Sequence, residues 1–235
     1  LDVEDQAISI DMVLRGPIKT AVSVLDSEPL RFVSGLGFDA KTISGETAAR
    51  LVFDFPLAKS LGIENVAVAA AATLRDVGLQ EGPLGLSLSK GALLLKLTGL
   101  GMTVSGDASL NDVPLKINWR ENFSDTEKFL RRFTVNGAVN ADARRKLQIP
   151  EAPILAGDVS GEIAYTAFPD GRSEIVSQID LTTAALDVPH LRWRKPSGVP
   201  GNLYVFAVVP PEGSPIVEDL RLEAADMRLR ARVEP

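Results

Sequence analysis

The chain has no cysteine and a single histidine, His190, in 235 residues. Without thiols there is no disulfide framework and no thiolate metal site. With one imidazole, most zinc chemistry is excluded, as is every Ser-His-Asp arrangement not built on that ring. Aromatic residues are only 6% of the chain, which disfavours enclosed aromatic-lined sites for rings or sugars. A basic excess is also missing: 25 Lys and Arg stand against 31 Asp and Glu, a net charge of -6. That balance argues against nucleic acid, whose phosphates need clustered positive charge. The longest apolar run, residues 66–72, lies between Asn65 and Arg75. It falls far short of the roughly 20 residues of a membrane-spanning helix. The chain opens at Leu1 with neither Met nor a signal-like segment, so a processed product or a piece of something longer is expected.

What is present is a core-sized supply of Leu, Val and Ala, arranged with period two. Through Ile43, Gly45, Thr47, Ala49, Leu51, Phe53 and Phe55 the odd positions are mostly apolar, and Ser44, Glu46, Arg50 and Asp54 fall between them. Successive side chains of a strand point to opposite faces, so this is a half-buried strand. The rhythm returns in Val66, Val68, Ala70, Ala72 and Leu74, in Leu84, Leu86 and Leu88, and in Leu93, Leu95 and Leu97. It continues through Met102, Val104, Gly106, Ala108 and Leu110, then Val113, Leu115, Ile117 and Trp119. Turn signals at Glu81-Gly82-Pro83, Lys90-Gly91 and Asn111-Asp112 separate the runs, which predicts an antiparallel meander.

Alternation resumes at Val159, Gly161, Ile163 and Tyr165. After the turn Pro169-Asp170-Gly171 come Ile175, Ser177 and Ile179, then residues 203–209, 220–222 and 227–231. Helices are expected in three places. Residues 17–36, with Val22, Leu25, Leu30 and Val33, suit one or two short helices, with Pro17 for a first turn and Gly35 and Gly37 as stops. Residues 124–132 carry Ser124 as a cap, acids early and arginines late, an order that suits the helix dipole. Residues 140–147 are the third. No linker is visible, and 150–157 reads as a loop boundary within one segment spanning 1–235.

Catalytic motifs are scarce. Gly35-Leu36-Gly37-Phe38-Asp39-Ala40 has the spacing of a dinucleotide fingerprint. That chemistry needs a strand before and a helix after, and the order here is reversed. Asn122-Phe123-Ser124 is a glycosylation tripeptide too common to carry weight. The acid pairs Asp180 with Asp187 and Asp54 with Glu46 have no pattern that makes them converge on a cleft. His190 has no identifiable nucleophile or orienting acid. Around Trp193, the residues Arg192, Arg194 and Lys195 admit two readings. They are a phosphate or lipid-headgroup contact, or a strand end with Trp193 in the core and its cations solvated.

An alternating sheet ordinarily buries its apolar face against a second sheet, giving a closed β-sandwich. Two features favour instead a curved, open, taco-like β-groove: a face of Leu, Val, Ala and Gly that suits flexible acyl chains, and helices too few to cover it. Each methylene moved onto such a face gains roughly 0.8 kcal/mol. A transmembrane barrel would call for aromatic girdles, which two Trp and two Tyr do not supply.

The order of several short motifs resembles the AsmA-like superfamily, YhdP branch. They are Gly16-Pro17-Ile18, the run from Leu25-Asp26-Ser27 to Arg31-Phe32, Ile43-Ser44-Gly45, Phe55-Pro56-Leu57, Val104-Ser105-Gly106-Asp107 onward to Pro114, and Leu191-Arg192-Trp193-Arg194-Lys195-Pro196. The resemblance covers about 16–209. It implies an internal segment of a long periplasmic β-groove whose parent is anchored in the inner membrane, carrying phospholipid toward the outer membrane. No catalysis and no cofactor are implied. The implied partners are phospholipid, the rest of the same chain, and inner- and outer-membrane components. By position the groove would be lined by Leu51, Phe53, Val66 and Val68, by Leu86, Leu88, Leu93, Leu95 and Leu97, and by Met102, Val104, Leu115, Ile117 and Trp119; Arg192, Arg194 and Lys195 are headgroup contacts only on the first of the two readings given above.

Overall fold

Period-two alternation over ten or more residues commits a chain to strands, because only a pleated backbone puts every second side chain on one face. The computed structural model describes residues 7–25, 42–57, 66–80, 85–124, 127–150 and 152–233, and the protein is mainly β. The strands are β1 (Ala7–Pro17), β2 (Ile43–Pro56), β3 (Ala67–Leu79), β4 (Leu88–Thr98), β5 (Gly101–Leu110), β6 (Val113–Asn122) and β7 (Arg131–Val139). They continue as β8 (Leu155–Gly157), β9 (Val159–Ala167), β10 (Ser173–Asp180), β11 (Ala184–Val188), β12 (Trp193–Lys195), β13 (Gly201–Val209), β14 (Ile216–Ala224) and β15 (Met227–Val233).

Among the described residues, twelve strands form one antiparallel sheet in the order β1-β2-β3-β4-β5-β6-β7-β9-β10-β13-β14-β15. The sheet is not closed into a barrel. The strands β12-β11-β8 form a separate small sheet. One large and one small sheet are found, not the two comparable layers of a closed sandwich. Two short helices are present, α1 (Ile18–Leu25) and α2 (Ala141–Lys146). None of the described helices is long and apolar enough to cross a membrane.

Two compact units divide the chain, one of Leu1–Asp112 with Arg120–Ser124 and one of Val113–Trp119 with Asp125–Pro235. The stretch 150–157 lies inside the second unit and contributes β8 to the small sheet.

In the first unit, pairing aligns Met12 with Leu51, Leu51 with Ala70, Ala70 with Leu97 and Leu97 with Met102, so the apolar residues share one face. The apolar set is even-numbered early in β3 and odd-numbered later, and the parity also switches within β4. Asp76 (φ 50°) and Lys90 (φ 53°) supply the switch. Each sits where one strand carries an extra residue: Leu74 pairs with Leu93 but Val77 with Gly91, and Leu79 pairs with Leu88. A bulge flips the parity downstream, so Val77 and Leu88 stay on the face of Leu74 and Leu93. The expected turn at Lys90-Gly91 is therefore a bulge inside one strand. Gly91 accommodates it, since a Cβ there would lie 2.8 Å from the Val77 Cβ.

The Asn111-Asp112 hairpin is as expected: both residues take positive φ, 45° and 64°, the primed turn that suits strand twist. The Asn111 side chain accepts from the Ser87 amide at 2.9 Å, tying the turn to the start of β4. The helix at 140–147 is found as α2, with the Asn140 side chain accepting from the Ala143 amide. Of the one or two short helices expected in 17–36, one is found as α1, beginning right after Pro17 at the end of β1, and 26–41 lies outside the described residues.

The expected helix at 124–132 is not found among the described residues. Residues 127, 128 and 130 are bends, β7 begins at Arg131, and 125–126 lie outside the described residues. Its charge order suited a helix, but no apolar stripe at helical spacing accompanied it. The period-two run Phe133, Val135, Gly137 and Val139 takes over. The strand β1, carrying Ile8, Ile10, Met12 and Leu14, was also missed by the sequence reading. The turn at 81–84 lies outside the described residues.

Candidate functional site

The residues expected to line a groove fall into two groups. Leu51, Val68, Leu93, Leu97, Met102, Val104 and Leu115 are buried within the chain itself, each less than a tenth exposed. Phe53, Leu88, Leu95, Ile117 and Trp119 are partly exposed. Val66 and Leu86 are partly exposed too, but they lie just outside β3 and β4. Only the second group presents apolar surface. Apolar exposure rises at the edge strand β1, where Ile10 and Met12 are each 41% exposed on the same face as Leu51 and Phe53.

The second unit carries an apolar face outside the residues expected to line the groove, although its alternation was legible. Phe133 pairs with Tyr165, Tyr165 with Ile175, Ile175 with Ala207, Ala207 with Val217 and Val217 with Val233. The next row runs Val135, Ile163, Ser177, Val205, Leu220 and Ala231. All of these are partly exposed except Ala207, which is buried, and Val233, which is 52% exposed at the edge. Trp119 stacks on Phe133 at 5.3 Å between ring centroids, and Phe133 lies 6.5 Å from Tyr165.

At the other end of these strands the small sheet forms a second layer. Leu181, Ala184 and Leu186 pack with Val159 and Ala224, and Ile179, Leu203, Leu222 and Trp193 close around them. Among the described residues, the second unit is therefore a local sandwich at one end and a single apolar layer at the other.

The basic cluster is taken apart by the fold. Trp193 and Lys195 point inward from β12 and Arg194 outward, as alternation requires. Lys195 is 1% exposed, and its ammonium donates to the carbonyls of Leu181 (2.7 Å), Ala184 (2.6 Å) and Pro196 (3.3 Å). Burial pushes its pKa below the usual lysine range, while Asp180 pulls it back up. Gly201 makes room for the stem, since a Cβ there would sit 2.8 Å from Lys195 Cε. As a headgroup contact Lys195 is corrected: its donors are spent on the joint between the two sheets. Arg194 pairs with Asp187 at 2.9 Å on the surface. Arg192 is exposed and takes a left-handed backbone, φ 50°. Trp193 packs against the core cluster and donates to Asp226 at 2.9 Å. This matches the second reading of the cluster for Trp193, and the two arginines are the solvated part. The three-residue strands of the small sheet are too short to show a period, which is why the sequence did not separate these roles.

Among the described residues, no group of three or more His, Cys, Asp or Glu is placed to hold a metal ion. No family model, curated protein or solved structure matches the chain.

Proposed function

We propose that the protein holds phospholipid acyl chains on the apolar face of its large sheet, as a non-catalytic segment of a bridge-like lipid-transport protein of the bacterial periplasm. The observation that carries this reading is the uncovered part of the second unit's face, the rows of Phe133 and Val135. Six strands there put apolar side chains on one side, with no second layer of described strands over them. Leaving such rows to water is costly, at about 25 cal/mol per Å² of apolar surface. An acyl chain removes that cost through contacts that need no particular direction. The order of short motifs resembling the AsmA-like superfamily, YhdP branch, supports the periplasmic setting, an inner-membrane-anchored parent and the remaining partners.

A second reading, a structural or interaction module of the cell envelope, draws on the small sheet, which builds a local sandwich on the large one. The two readings part on lipid uptake. Incubated with phosphatidylethanolamine vesicles and recovered by gel filtration, the protein is expected to carry phosphorus, and Ile175→Asp to carry much less at unchanged circular dichroism. Recovery of wild-type protein free of phosphorus would favour the module.

A further inference from the structure

The face of the second unit, over part of which no second layer lies among the described residues, is chemically different at its two ends. At one end lie Ile179, Leu203 and Leu222, closed over by the small sheet and by Trp193. At the other, the last row pairs Arg131 with Ala167, Ala167 with Ser173 and Ser173 with Val209. Arg131 is the one charged residue among the paired positions of this face on β7, β9, β10, β13, β14 and β15. Its guanidinium carbon lies 6.0 Å from the centre of the Phe133 ring, on the apolar side. Beside it, the Tyr165 and Ser173 hydroxyls are hydrogen-bonded at 2.8 Å.

From Arg131 to Gly137, opposite the capped row, is six residues, or roughly 20 Å at the rise of a strand. A bilayer's hydrocarbon core of about 30 Å holds two chain lengths, so one acyl chain needs about 15 Å. The apolar stretch between the arginine and the cap is long enough for one.

Resting on the lipid reading above, we infer that this unit holds a phospholipid in one direction, its headgroup phosphate at Arg131 and its chain ends at the small-sheet cap. The phosphate takes the charge-assisted hydrogen bonds that an arginine offers two at a time. The hydroxyl pair of Tyr165 and Ser173 borders the same place. The cap blocks the chain from running further under the small sheet, so an acyl chain entering from the Arg131 end stops there.

The protein's two tryptophans stand at the two ends, Trp119 stacked on Phe133 and Trp193 in the cap, which allows a direct test. The probe is phosphatidylglycerol with a nitroxide at acyl carbon 5 or near the chain end, offered to Trp119→Phe and Trp193→Phe. With Trp193 alone remaining, the chain-end label should quench more strongly. With Trp119 alone remaining, the order should reverse. Equal or inverted quenching overturns the direction while leaving lipid binding intact. No quenching of either tryptophan by either label overturns the lipid reading, and this inference with it. Arg131→Gln needs no tryptophan change. It should weaken phosphatidylglycerol binding about tenfold and leave diacylglycerol binding unaltered. Equal effects on the two lipids would remove the headgroup from Arg131.

Discussion

Lys195, preceded in sequence by a tryptophan and two arginines, is the most deeply buried large side chain described, and its ammonium is held by backbone carbonyls. Two of its three carbonyl acceptors, Leu181 and Ala184, tie β12 to the segment 181–184. Lys195→Ala should therefore lower stability by about 3 kcal/mol in urea titration, because it opens a cavity and strips carbonyls of their donor. Gly201→Ala, which drives a methyl into the pinned lysine stem, should cost about 1–3 kcal/mol.

The titration of these groups has a definite sign. The folded Lys195 releases its proton before an unfolded lysine does, so between its lowered pKa and about 10.4 stability should rise with pH. Below that window both states are protonated and the gain is lost. At the acid end, Asp11 is held below the usual carboxylate range by the hydrogen bond from Arg50, Asp180 by those from Thr182, and Asp219 by that from Arg221. Each contributes stability above its unfolded value of about 3.9 that disappears as pH falls through the lower folded value. The urea midpoint should accordingly drop below about pH 4, and Asp219→Asn should flatten that drop. A midpoint insensitive to acid would contradict this account of the three carboxylates.

At the scale of elements, the sequence announced strands such as β2, β5 and β9 by their alternation, yet β1, with Ile8, Ile10, Met12 and Leu14 alternating, was passed over. The sequence was silent on how neighbouring strands stay in phase. The bulges at Asp76 and Lys90 are single residues with positive φ, and nothing in local composition marks them. Only the switch of the apolar set from Leu88 to Leu93 hinted at one, and a turn explained it equally well. Gly106 is a further case: at φ 151° it lets β5 approach β4 so closely that a Cβ would strike the Ala92 carbonyl. Gly106→Val should destabilise the first unit by about 2 kcal/mol or more, whereas Thr103→Val on the exposed face of the same strand should change little. A cap and dipole-matched charge placed a helix wrongly at 124–132, where no apolar stripe at helical spacing lay between the end signals. The helix α2, equally without a buried face, is held by its Asn140 cap and by the pairing of Asp142 with Arg145 and Lys146.

For the whole molecule, the mainly β fold and the open sheet were legible from alternation and from the poverty of helices. The distribution of covered and uncovered apolar surface was not. In the second unit, burial depends on which strands lie under the small sheet, and that sheet is built from strands of three to five residues. In the first unit, Leu93 and Met102, expected to line a groove, are buried, and the partly exposed rows of the second unit were passed over. This distinction sorts the variants. Leu93→Asp puts a carboxylate into a closed core and should unfold the first unit. Leu95→Asp and Ile117→Asp, at partly exposed positions, should fold and bind less lipid.

Native mass spectrometry of the purified protein, with lipid extraction and a β-protein control of similar size, tests the central claim most directly. The account predicts phospholipid adducts on the wild type, and their loss in Ile175→Asp, Leu95→Asp and Ile117→Asp at unchanged circular dichroism. A protein that stays free of lipid after incubation with phospholipid, or keeps its adducts in all three variants, would contradict it.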